Sequence, residues 1–376
     1  MATTKYPFLQ HPKPRQEPNT THISTFFCQV VFYLAWKRTA ATFQPTPITI
    51  HLQPQRMKRI EKRKALVIGI NNYDHNPLKA CVNDANEMEK LLKAQQNGNP
   101  NFSTINSPNA TKDIMENRIK HLLKGEADHA LFFFSGHGHH DATGGYLLSK
   151  EYQRGNWGIS MEWLVNAVNQ SKIEEITIIL DCCHAGSIGN LQVEGLEKEM
   201  AQLRKNVTML AASQQNQLSV ESRSNGVFTE ILLQGLQGEA ADLAGNVTAA
   251  GLYNMADNLL TPWEQRPVFK SFVTQMSPLR QCTPTTPRAA IRQLISHNLF
   301  FDPDREIQLY PNLVVNDAEH QPQKVAFFSL LLAFAQAGLI ACPGGQSIYE
   351  AALQRRTCHL TAYGRYLHQM ISEGNF

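Results

Sequence analysis

The chain has 376 residues, 42% hydrophobic and 18% charged, enough to bury a large core or two. Its net charge of +3 is unevenly spread: residues 1–64 carry eleven Lys/Arg against two Asp/Glu, so everything beyond is mildly acidic. That excludes bulk attraction of the body to phosphate backbones, so no nucleic-acid partner is expected. The seven cysteines are odd in number and irregular in spacing, which excludes a disulfide framework and suits a reducing, cytoplasmic setting. The most apolar N-terminal run, Phe26 to Trp36, is too short to span a bilayer, and no membrane association is expected.

Residues 1–60, rich in Pro, Thr and Gln over most of their length, read as a flexible extension. The ordered pattern begins just after Met57, an alternative start. From Lys64 to Ile70 a continuous apolar run predicts a strand buried on both faces. Helical spacing follows over Asp84 to Ala94. Thr111 is placed to cap a second helix whose Ile114, Ile119, Leu122 and Leu123 face the sheet. Ala130 to Phe134 and Ile176 to Leu180 are further buried strands, and between them Ser160 opens a helix holding Trp163, Leu164 and Val168. Val207 to Ala212 reads as a strand and Val227 to Leu236 as a helix. Strands joined by crossover helices imply an α/β fold, a mainly parallel sheet flanked by helices over residues 61–280.

The turn-rich stretch from Cys282 to Pro287 marks a boundary. Residues 281–376 then read as a small, mostly helical, winged-helix-like module. It has a helix from Arg288, an extended stretch near Ile307–Tyr310, an apolar helix from Ala326 to Gly338 and a last helix capped by Thr361. Its basic and acidic residues are balanced, which disfavours DNA and leaves recruitment of a protein partner as its expected role.

Two segments carry chemistry. Ser135-Gly136-His137-Gly138 directly follows one predicted strand, and Asp181-Cys182-Cys183-His184-Ala185-Gly186 the next. In doubly wound sheets, ligands gather at the carboxyl ends of strands. A thiol that attacks an amide needs an imidazole to take its proton, and backbone N–H groups to hold the oxyanion. His137 and Cys183 supply the first pair; the amides of Gly138 and Cys183 suit the second.

These two motifs, in this order, resemble those of the caspase-like cysteine peptidases, and metacaspases and their bacterial relatives more than animal caspases. Gly69-Ile70-Asn71-Asn72-Tyr73 and Ala80-Cys81-Val82-Asn83-Asp84-Ala85 resemble the family's opening segment, and Asn225-Gly226-Val227-Phe228-Thr229 the start of a later helix. The resemblance covers residues 64–275. It implies a cysteine endopeptidase with His137 as general base and Cys183 as nucleophile. It also implies that Asp84, Ser135 and Asp181 hold a basic P1 side chain, so that protein or peptide substrates are cut after Arg or Lys.

No cofactor is implied. Many metacaspases owe calcium activation to an acid-rich loop after the His-Gly pair, whereas residues His139 to Tyr146 here include one acid. His137, His139, His140, Asp141, Cys182, Cys183 and His184 lack a standard zinc spacing, so no metal is expected. Residues 187–206 are candidates for a cleavable linker, with Lys198, Arg204 and Lys205 as cut sites. The rival reading is a catalytically silent scaffold acting through its C-terminal module; the intact His/Cys pair argues against it.

Overall fold

The computed structural model describes residues 62–184, 203–212, 225–260, 267–284, 286–296, 299–314 and 321–376, with Cys183 and His184 described by their backbone alone. The extension expected over 1–60, Lys198 and most of the candidate linker lie outside these residues. The chain divides into two compact units, one ending at Arg288 and the other containing Ala289–Phe376.

The larger unit is built on one sheet. Strands β1 (Arg63–Gly69), β2 (Ser103–Asn106), β3 (His129–Asp141), β6 (Glu175–His184) and β7 (Val207–Ala211) run parallel in the order β2-β1-β3-β6-β7. An antiparallel β9 (Val268–Phe272) closes the β7 edge. A ribbon of β4 (Gly144–Gln153) and β5 (Asn156–Ser160) folds back antiparallel from the far end of β3. A two-residue pair, β8 (Asn246–Val247) with β10 (Arg280–Gln281), stands apart.

The three consecutive Phe residues of β3 show why such a strand must be covered on both faces. Ala130, Phe132 and Phe134 enter one core layer, and Leu131 and Phe133 the other, all buried. Each fully buried side chain of this size contributes about 1.5–3 kcal/mol. Helices α2 (Lys112–Leu123) and α3 (Met161–Gln170) cover the first layer through Met115, Ile119, Leu164 and Val168. Helices α1 (Cys81–Lys93), α4 (Val227–Gln234) and α5 (Ala249–Leu260) cover the second through Ala85, Met88, Leu92, Phe228, Leu232 and Leu252.

The side-chain hydroxyls of Thr111 and Ser160 cap α2 and α3, accepting from the Ile114 and Trp163 amides. Ile114 does not face the sheet: it is exposed, and Met115 takes the buried position. Helix α1 begins at Cys81, so Asp84 lies within its first turn instead of starting it. The two chemical motifs are not loops after strands. β3 continues through Ser135-Gly136-His137-Gly138, and β6 through Asp181 to His184, because each finds a neighbouring strand to pair with.

In the smaller unit a short helix, Arg288–Ile291, precedes a three-stranded antiparallel sheet in the order β11 (Ile307–Gln308), β13 (Thr357–Leu360), β12 (Ile340–Ala341). With it stand α6 (Pro322–Gln336), α7 (Ile348–Leu353) and α8 (Ala362–Ser372), the last capped by the Thr361 hydroxyl, which accepts from the Gly364 amide. Among the described residues, no helix is long and apolar enough to cross a membrane.

Candidate active site

β3 and β6 run side by side in a register that pairs Ser135 with Asp181, Gly136 with Cys182, His137 with Cys183 and Gly138 with His184. Adjacent strands lie about 4.8 Å apart, so the two motifs separated in sequence become immediate backbone neighbours. The register, set by hydrophobic pairs such as Phe133 with Ile179, therefore delivers the histidine opposite the cysteine.

His137 is almost wholly buried and is held from two sides. Its backbone N–H donates to the Tyr73 hydroxyl at 2.9 Å, and the Tyr73 ring lies 4.6 Å from the imidazole. Nε2 lies 2.7 Å from the Asn76 carbonyl oxygen. A carbonyl can only accept, so Nε2 is the protonated nitrogen and Nδ1 of the neutral ring keeps its lone pair. Nδ1 is buried and has no partner among the described residues. Asn76 takes a left-handed conformation, φ 56°, one that Asn tolerates better than most residues and that turns its carbonyl to the ring.

A second cluster lies one turn of α1 away from the start of that helix. The Ser135 hydroxyl donates to Asp84 Oδ2 at 2.8 Å. Asp84 Oδ1 accepts from the Asn225 side-chain amide at 3.0 Å and the Gly226 backbone at 3.1 Å. Asp181 Oδ2 accepts from the Thr229 hydroxyl at 2.6 Å. A Cβ added at Gly226 would lie 2.9 Å from Asp181 Oδ2 and 3.4 Å from Asp84 Oδ2, so these oxygens are within about 6 Å of each other. Two ionised carboxylates at that distance repel by roughly 3 kcal/mol at an effective dielectric of about 20. Burial, with that repulsion, pushes Asp84 up to about 7 against the hydrogen bonds that oppose it, and burial pushes Asp181 up as well.

Cys81 is free and buried, its thiol pushed up to about 12 by burial. Cys182 is half-buried, yet desolvation around its sulfur pushes its thiol well up, which makes it a poor nucleophile. His139 packs at a tilt against Trp157 with ring centroids 3.9 Å apart, and Asp141 accepts from Trp157 Nε1 at 2.8 Å. Arg204, a candidate cut site, donates to the Val168 and Lys205 carbonyls at 3.2 and 2.7 Å. A third bond reaches the Ile173 carbonyl.

The structure thus brings Asp84, Ser135 and Asp181 together and sets His137 opposite Cys183. Sequence reading gave no role to Tyr73, Asn76, Asn225, Gly226 or Thr229. Tyr73 and the Asn225–Thr229 segment stood out as motifs, but Asn76 acts through its carbonyl, which no side-chain pattern announces.

The family model of the caspase domain matches residues 62–278, more than half of the chain. The chain belongs to the caspase-domain peptidase family. Among solved structures, pro-sf-caspase-1 is similar at 14% identity and a TM-score of 0.41, over 61% of this chain and 99% of that one. No curated protein matches the sequence. The matched span of the caspase domain contains both strand-borne motifs and the carboxylate cluster.

Proposed function

We propose that the protein is a cysteine endopeptidase of the metacaspase-like kind, cutting after Arg or Lys with His137 and Cys183 as its dyad. The observation that carries this reading is the state of His137: anchored through Nε2, with Nδ1 unpartnered among the described residues and its backbone in register with Cys183. Nδ1 accepts the thiol proton, and the imidazolium stabilises the thiolate. The thiolate attacks the scissile carbonyl, and the amides of Gly138 and Cys183 take the oxyanion. His137 returns the proton to the leaving amine. It then activates the water that hydrolyses the thioester. The reaction consumes only water, so no cofactor is required.

Asp84, Ser135 and Asp181 receive the P1 side chain. Two buried carboxylates select a guanidinium or ammonium and reject an acidic P1. A reducing compartment such as the cytoplasm keeps the thiol available. The C-terminal unit is read as a docking module for a protein partner.

Matched fluorogenic peptides ending in Arg, Lys or Asp, offered to wild type and Cys183→Ala with and without calcium, test the reading. Cleavage after Arg or Lys that disappears in the variant is expected, in either condition. Cleavage after Asp alone sinks the pocket assignment, and activity that persists in Cys183→Ala sinks the dyad.

A further inference from the structure

The carboxylate pair is incomplete without a short segment that follows Cys183 in the chain. Asp84 comes from α1 and Asp181 from β6, but apart from the Ser135 hydroxyl the donors to their oxygens come from Asn225, Gly226 and Thr229 at the start of α4. Thr229 is fully buried, and its hydroxyl has 2.6 Å contact with Asp181 Oδ2. Gly226 contributes what it lacks, since a Cβ there would press on both carboxylates. We propose that Thr229, with Asn225 and Gly226, is a positioning residue for P1 recognition that holds Asp84 and Asp181 as one unit, which gives up a proton when a basic side chain docks.

The proposal rests on the basic-P1 reading above and deepens it. All the donors to the pair are neutral, and no cation pairs with either carboxylate among the described residues. The other titratable group facing it is the neutral Cys81 thiol from α1; the neighbouring Cys182 thiol of β6 packs on the opposite core layer, and α4 carries the acid Glu230 in its first turn. Among the described residues, then, only a proton is at hand to offset the second charge of the pair, in keeping with the raised ionisation of Asp84. When an arginine side chain enters, the guanidinium stays cationic, the proton passes to solvent and the pair becomes doubly ionised around the new cation. Thr229 lowers the cost of that second ionisation, because its hydroxyl donates to the charged form of Asp181.

The test uses the full-length Cys183→Ala protein and an uncleaved peptide with one arginine at P1, beside the same peptide carrying neutral citrulline. Affinity is measured by calorimetry from about pH 5 to about pH 9, in buffers of differing ionisation heat that count released protons. Arginine affinity is expected to rise about tenfold per pH unit up to about 7 and then level, with proton release on the rising limb. The citrulline peptide is expected to show no such rise. Thr229→Val should move the arginine midpoint upward by about one pH unit or more, and Thr229→Ser should restore it. A loss of packing alone would weaken both peptides and leave the midpoint in place. A flat arginine profile, or an unmoved midpoint in Thr229→Val, overturns this inference and leaves the basic P1 standing. Arginine that binds no better than citrulline at any pH overturns the basic P1 and this inference together.

Discussion

Replacing Gly136 by alanine is the sharpest test of how His137 is held. A Cβ at this position would lie 2.8 Å from Phe134 Cζ and 3.2 Å from its Cε1, and closer still to the Tyr73 hydroxyl oxygen. Ordinary van der Waals separation requires the ring to retreat by about 0.6 Å and the hydroxyl by about 1 Å. Both side chains are buried among packed neighbours, so the overpacking should cost about 1–3 kcal/mol. The hydroxyl that must move is the one accepting the His137 N–H, so the imidazole shifts too. A misplacement of about 1 Å near the chemistry costs roughly a hundredfold in rate.

The Tyr73→Phe change alone strands the buried His137 N–H, at about 1–3 kcal/mol. It also removes the oxygen that an alanine at 136 strikes. The double variant should therefore be more stable than the sum of the single changes predicts, by at least about 1 kcal/mol. Urea unfolding of the four proteins, with kcat/KM on an arginine substrate, measures both effects. Additive energies, or a Gly136→Ala enzyme with wild-type stability and turnover, would refute the reasoning.

The pH dependence of stability should show two opposed contributions. Burial, with Arg63 nearby, pushes His129 down to about 3, so below its ordinary 6.5 the unfolded chain takes up a proton that the fold refuses. Stability falls on acidification there by up to about 1.4 kcal/mol per pH unit. Asp84, pushed up to about 7, acts in reverse: from about 7 down to 3.8 the fold gains a proton that the unfolded chain lacks. Asp84→Asn should therefore unfold at higher urea than wild type at about pH 8 and lose stability more steeply between about pH 6.5 and 4; parallel curves would contradict the sign given to Asp84. Asn76→Gly should keep turnover, whereas Asn76→Val forces a β-branched residue to φ 56° at roughly 1–2 kcal/mol and should lower kcat; equal rates for the two would sink the role of that carbonyl. Thr361→Ala removes the cap of α8 and should destabilise the C-terminal unit by about 1 kcal/mol while peptide cleavage stays unchanged, as separate thermal scans and assays would show.

Much of this protein was legible in one dimension. Continuous apolar runs at 64–70, 130–134 and 176–180, short and rich in β-branched or aromatic residues, read as strands covered on both sides, and Thr111, Ser160 and Thr361 announce helix starts because a hydroxyl there answers an orphaned amide. Those signals are local, and so the main strands and several helix starts were readable. The polar β2 and the ribbon of β4 and β5 were not, because their pairing depends on neighbours that no short window contains. Ile114 and Met115 differ by one position and exchanged burial, a rotation that periodicity resolves poorly.

The same division runs through the site. The residue types, a histidine and a cysteine in Gly-rich and acidic motifs, pointed by themselves to the chemistry proposed above. Tertiary structure alone set His137 opposite Cys183, turned the Asn76 carbonyl toward Nε2 and brought Thr229 onto Asp181. These are consequences of sheet register and helix packing between residues 61 positions apart in one bond and 48 in another. Hydrophobic pairing decides register, and a polar bond forms wherever the resulting geometry puts donor and acceptor within reach.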